Sequence, residues 1–257
     1  MYALSAALGV TTLAGLDSRV HAQVAEPVLR WGGDVVQSDT GTDRAVSDQS
    51  DKDAATSRRA TFFLDHTATF SPKAMAGPQF YGGVQVVKQG STQPAGLARL
   101  LIKDADAVDV MELYFQRPPD STGGHGSAAI VWPADQFAGG GRAMSELVSL
   151  QLTLGPGNSF DEVRWLVKTG GAYLLSKTSF VGGAGDYQLA DPAAAEWLVY
   201  RPTRDDLAFD ADAATPTPIA PDASVEAVGF YVDKDLSDSR NGSIVVQSFT
   251  VYAKGSP

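Results

Sequence analysis

From Val28 onward, short β-branched and aromatic runs recur between Gly, Pro, Asp and Ser, the punctuation of strands joined by turns. The runs are Val28–Val36, Thr61–Asp65, Phe80–Lys88, Leu97–Lys103, Val108–Gln116, Ser127–Trp132 and Glu146–Leu154. They continue with Glu162–Thr169, Ala172–Lys177, Glu196–Tyr200, Val225–Val232 and Ser243–Ala253. Leu150, Leu152 and Leu154 alternate with Gln151 and Thr153, while Val163, Trp165 and Val167 alternate with Arg164 and Lys168. Period two means one face buried and one wet, so these two runs read as half-buried antiparallel partners. They lack the continuous apolar character of strands in a parallel sheet.

Thr169-Gly170-Gly171 separates VRWLVK from AYLLSK, and glycines able to take positive φ predict a tight hairpin there. Helix signals are few. Asp191-Pro192 before three alanines and Glu196 predicts an N-cap, a proline in the first turn and a short helical turn ending at Trp197. Many strands without βαβ spacing predict an all-β fold: a two-sheet antiparallel β-sandwich of jelly-roll type. Two stretches read as loops, Ser38–Arg59 and Asp205–Ser224. The second contains TPTPIAPDAS, whose prolines favour an extended path that returns the chain to the same sandwich.

Composition narrows the function classes. The chain has 257 residues with 44% apolar side chains, enough for a sizeable core in one large all-β domain, read as residues 24–257. A net charge of -10 argues against nucleic acid, because binding phosphates needs clustered Lys and Arg. With no cysteine there is no disulfide, thiolate metal site or Cys nucleophile.

Tyr2 to Leu16, YALSAALGVTTLAGL, is an uncharged run of apolar and small residues, followed by Val20-His21-Ala22. That is the layout of a secretory signal peptide over residues 1–22, and it is too short to span a membrane. No Lys or Arg precedes the run, so either the signal starts upstream or the segment is a buried N-terminal helix. Export predicts a secreted or cell-surface bacterial protein. Absence of cysteine then describes a chain held by its core rather than by disulfides.

The C-terminal VEAVGFYVDKDLSDSRNGSIVVQSFTVYA, Val225–Ala253, has two alternating strands around an Asp-, Ser- and Gly-rich loop. It resembles the closing strand pair of galactose-binding-like jelly rolls, the architecture of many carbohydrate-binding modules. DEVRWLVKTGGAYLLSKTSF and DYQLADPAAAEWLVYRP add to the resemblance, and are similar to exported β-sandwich domains of planctomycetes and verrucomicrobia. It covers the chain from Asp161 onward and implies fold more than ligand. It also implies a polysaccharide or glycan as partner.

Such folds bind sugar with aromatic rings stacked on pyranose C–H faces, plus side chains that hydrogen-bond hydroxyls. Trp165, in phase with Val163 and Val167, reads as core. Trp31, beside Gly32-Gly33, and Trp132, beside Pro133, stand at strand ends where an exposed platform would sit. Trp197 and Tyr200 join them as candidate ligand-binding rings. Asp233, Asp235, Asp238 and Asn241 gather hard oxygen donors in one loop, a candidate Ca²⁺ site without EF-hand spacing. The acidic stretch Asp43–Asp53 is a weaker one.

No catalytic residues are assigned. The Glu-x-Asp-x-x-Glu pattern of laminarinase-like sandwiches is absent, and Glu112 with Asp109 falls on opposite faces under strict alternation. His66 and His125 stand alone in the sequence, and neither glycine-rich stretch (Ala138–Arg142, Phe180–Asp186) has a phosphate-loop context. Three readings stand: a non-catalytic carbohydrate-binding protein, a self-associating structural or adhesin domain, and a polysaccharide-degrading glycosidase or lyase.

Overall fold

The computed structural model describes residues 24–32, 44–45, 79–94, 96–105, 108–157, 160–202 and 207–255. The signal-peptide segment, the Thr61–Asp65 strand, His66 and most of the acidic stretch 43–53 lie outside these residues. In chain order the strands are β1 (Ala25–Gly32), β2 (Arg44–Ala45), β3 (Gln79–Lys88), β4 (Ser91–Pro94), β5 (Leu97–Ala105), β6 (Val108–Gln116) and β7 (Gly123–Pro133). They continue with β8 (Leu147–Leu154), β9 (Phe160–Thr169), β10 (Ala172–Gly182), β11 (Gly185–Ala190), β12 (Trp197–Tyr200), β13 (Val225–Asp235) and β14 (Asn241–Lys254). Among the described residues the helical segments are single 3-10 turns at Ala134–Gln136, Met144–Glu146 and Pro192–Ala194. No helix there is long and apolar enough to cross a membrane.

The strands form two seven-stranded antiparallel sheets, and the fold is a β-sandwich as predicted. The first sheet runs β11-β8-β14-β6-β5-β2, with β1 beside the C-terminal part of β14. The second runs β12-β10-β9-β13-β7-β3-β4. One expectation is corrected here. β8 and β9, the two cleanly alternating strands, do not pair; β8 lies between β11 and β14, and β9 between β10 and β13. The chain changes sheets between them, so their apolar faces meet across the core instead of along a shared edge.

Between the sheets lies the main core, in which Val84, Ile130, Trp132, Val163, Trp165, Val228 and Phe230 of the second sheet meet Leu113, Phe115, Leu150, Leu152, Phe249 and Val251 of the first. At its centre Trp132 stacks on Phe249 with ring centroids 4.4 Å apart and planes 7° off parallel. The predicted hairpin joins β9 to β10, with Gly170 at φ 57° and Gly171 at φ 76°, the left-handed values a two-residue turn needs. The helical turn after Asp191 is also present, but the Asp191 side chain makes no cap bond. Instead the Trp197 indole N–H donates to the Pro192 carbonyl at 3.0 Å.

The stretch after β12 does return to the sandwich. Thr217 N–H donates to the Trp197 carbonyl and Val199 N–H to the Thr215 carbonyl, adding a short extra strand beside β12. Before that, Leu207 and Phe209 cross the outer face of the second sheet and help to bury a second apolar cluster, separate from the main core.

Candidate functional site

That outer face is the unusual surface of the molecule. An outward sheet face is ordinarily wet and polar. Here the outward positions of β7, β13, β9 and β10 are Ala129 and Val131, Ala227 and Tyr231, Leu166, and Leu175, all buried. Alternation on β13 puts Tyr231, Asp233 and Asp235 on this one face, and the register places Asp233 beside Ser127 and Glu162, and Asp235 beside His125.

The face is concave. Tyr81 on β3 and Tyr173 on β10 are four strand steps apart, ~19 Å along a flat sheet at ~4.8 Å per step. Their ring centroids nevertheless lie 6.1 Å apart, edge to face, and their hydroxyls 3.4 Å apart. Rings can meet across that span only if the intervening sheet coils toward them. Ala129, Ala227 and Gly229 supply a low floor in between. Tyr81, Ala129, Tyr173, Tyr200, Pro202 and Leu207 close around a gap there too small to admit a water molecule.

Beside the tyrosines lies a polar shoulder centred on Asp233. Its carboxylate accepts from the Ser127 hydroxyl at 2.6 Å and the Tyr231 hydroxyl at 3.3 Å, and faces the His125 Nδ1 at 3.2 Å. The contact with Asp233 is the main cause that raises the His125 pKa above its ordinary 6.5. With Nδ1–H turned to the carboxylate, the half-exposed ring presents Nε2 outward. Burial pushes the Tyr231 phenol well above its ordinary value, reinforced by the Asp233 charge, so it remains a donor.

Arg164 is 6% exposed on the same face. It donates to the Ser176 carbonyl at 2.8 Å and the Lys177 carbonyl at 2.5 Å, pairs with Glu162, and lies over the Phe209 ring. Desolvation lowers its pKa. Lys168 sits 5.3 Å over the Tyr173 ring and pairs with Glu226 at 3.4 Å.

The structure places the sequence-predicted rings differently from the expectation. Trp31, Trp132 and Trp197 are 1%, 0% and 2% exposed, packed in the main core rather than displayed at strand ends. Tyr200 alone belongs to the concave face, 4% exposed beneath Leu207, whose carbonyl accepts from its hydroxyl at 2.9 Å. The predicted oxygen cluster is also dispersed. Asp233 serves Ser127 and Tyr231, Asp235 closes a turn by accepting from Ser237 N–H at 2.7 Å, and Asp238 and Asn241 lie in or beside the β13–β14 hairpin loop. The Ser237 hydroxyl, and after it this amide bond, lower the Asp235 pKa. Among the described residues no three His, Asp or Glu side chains converge as a metal set. Tyr81, Tyr173, Tyr231, Arg164, Ser127 and His125 are the site residues that sequence reasoning did not select. Alternation on β13 and β9 marks Tyr231 and Arg164, while Tyr81, Tyr173, Ser127 and His125 join them only through the pairing of β3, β10 and β7 in the same sheet.

No family model matches the chain. No curated protein matches it either. One similar solved structure is the solution structure of CtCBM11, with 12% sequence identity and a TM-score of 0.36. The likeness covers 68% of this chain and 97% of that one. At that level, the functional reading rests on the concave face itself.

Proposed function

We propose that this chain is a non-catalytic carbohydrate-binding β-sandwich, secreted or displayed on the cell surface, that holds a glycan on the concave outer face of its second sheet. One observation carries the reading. A sheet face that should be plain and wet instead gathers four tyrosines, Tyr173 half-buried and Tyr81, Tyr200 and Tyr231 buried, with His125, Asp233 and Arg164 at their side. Rings suit the apolar faces of pyranoses, and the adjoining imidazole and carboxylates suit their hydroxyls. Among the described residues the exposed large hydrophobics, Val24, Val87 and Val181, are single residues on separate segments and form no apolar packing face there.

The test is retention on a panel of insoluble polysaccharides, with Tyr173→Ala as the partner variant. Tyr173 is half-buried and contacts Tyr81 and Lys168, so its loss should abolish retention while leaving a cooperative unfolding curve. A His–Asp pair is also how a general base is held. Soluble oligosaccharides released by the wild type and not by His125→Ala would move the reading to a glycosidase or lyase.

A further inference from the structure

The aromatic half of the concave face is covered by the protein's own chain. Residues 207–213 belong to neither sheet, and two of their backbone groups are held by tyrosine hydroxyls. The Tyr200 hydroxyl donates to the Leu207 carbonyl at 2.9 Å, and Phe209 N–H donates to the Tyr231 hydroxyl at 3.1 Å. The Phe209 ring sits edge-on to Tyr200 at 5.9 Å and to Tyr231 at 6.2 Å, with the Arg164 guanidinium 5.2 Å over it. Beyond it, Asp210 Oδ1 accepts from the amides of Asp212 and Ala213, turning the chain away.

We propose that this strap is an internal plug: Leu207 and Phe209 occupy the tyrosine-lined part of the face, and a glycan must displace them to use it. The proposal rests on the carbohydrate-binding reading and says how that site is regulated. Each anchor of the strap is a group that a sugar would engage. The Tyr200 hydroxyl donates to strap backbone, the Tyr231 hydroxyl accepts from it while donating to Asp233, and the Phe209 ring covers the Arg164 guanidinium, which also holds Ser176, Lys177 and Glu162. Strap and ligand therefore compete for the same partners. A segment that belongs to neither sheet can open without unfolding the strands beneath it. Apparent affinity is then reduced by the fraction of molecules in which the strap is lifted.

Two measurements on the full chain test this. In the first, hydrogen exchange compares the amides of 207–213 with those of β13. The proposal expects strap amides to exchange far faster than β13 amides without ligand, and faster still with a retained polysaccharide. In the second, Phe209→Ala removes the ring contacts and leaves the sheet hydrogen bonds, so affinity for that polysaccharide should rise by roughly tenfold. Phe209→Leu serves where the alanine variant does not fold, with a smaller rise.

Strap amides as protected as those of β13, with normal retention, overturn the plug alone. Unchanged or weaker binding by a cooperatively folded Phe209 variant overturns it too, and makes the strap a fixed part of the surface. Fast strap exchange with no polysaccharide retained by either protein overturns the carbohydrate reading, and the plug with it.

Discussion

Replacing Trp132 by alanine separates a core ring from a binding platform. Trp132 is fully buried, stacked on Phe249 at 4.4 Å and tilted against Trp31 at 6.4 Å and Phe230 at 6.2 Å. A buried Trp covers ~150–250 Å², which at ~25 cal/mol per Å² gives an upper bound of ~4–6 kcal/mol. Measured Trp→Ala losses in cores are about 3–5 kcal/mol, so a loss of about 4 kcal/mol is expected. Against a total of ~5–15 kcal/mol, that is a large share of the protein's stability.

Trp132→Phe should cost much less, under about 2 kcal/mol. The buried Trp132 indole N–H has no hydrogen-bond partner among the described residues, and phenylalanine removes that donor, worth ~1–3 kcal/mol if unsatisfied, while keeping a stacking ring. Urea unfolding followed by far-UV circular dichroism reads both variants without relying on tryptophan emission. A Trp132→Ala loss below about 1 kcal/mol, together with lost polysaccharide retention, would refute the placement and restore the ring as a platform.

Other consequences follow from single contacts. A Cβ on Gly229 would stand 1.9 Å from the Ile130 carbonyl oxygen between two central strands, so Gly229→Ala should cost at least about 2 kcal/mol. Gly141→Ala, with open space around it, should stay within about 0.5 kcal/mol in the same urea titration. His125 has a raised folded pKa, so its bond to Asp233 contributes stability below the ordinary value of 6.5, and that stability is lost as pH rises through the folded value. Wild type should therefore exceed Asp233→Asn by a wider Tm margin at pH 5.5 than at pH 8. The His125 imidazole followed by NMR should titrate above 6.5 only in the wild type, and a titration unchanged in the variant would remove the pair.

How much of this was legible in the chain differs by element. β8 declared itself, because it has one buried and one wetter face, whereas β9 alternates in sequence although Arg164 and Leu166 on its outer face are buried as well. Gly170-Gly171 marked its hairpin because the turn needs two successive positive φ angles and a pair of glycines supplies both. β7 concealed its phase. Ala128, Ile130 and Trp132 face the main core while Ala129 and Val131 lie under the second cluster, so both faces are buried and the run reads as continuously apolar. Trp132 then looked free to stand at a strand end, although it is in step with Ile130.

The site was hidden for a related reason. Tyr81 and Tyr173 are 92 residues apart, and only the coiling of the sheet brings their rings together. Asp233 looked like one oxygen donor among several because neighbours in its loop were visible in the sequence. Ser127 and His125, on the paired strand, were not.

The most direct measurement is retention on the polysaccharide panel of three folded proteins: wild type, Tyr173→Ala on the concave face, and Tyr252→Ala on the outer side of the first sheet. Tyr252 lies on β14 between the inward-facing Val251 and Ala253, so it reports on the opposite side of the sandwich. The account predicts that wild type and Tyr252→Ala are retained by the same glycan and Tyr173→Ala is not. Retention lost in Tyr252→Ala but kept in Tyr173→Ala, or no retention of the wild type on any polysaccharide, would contradict it.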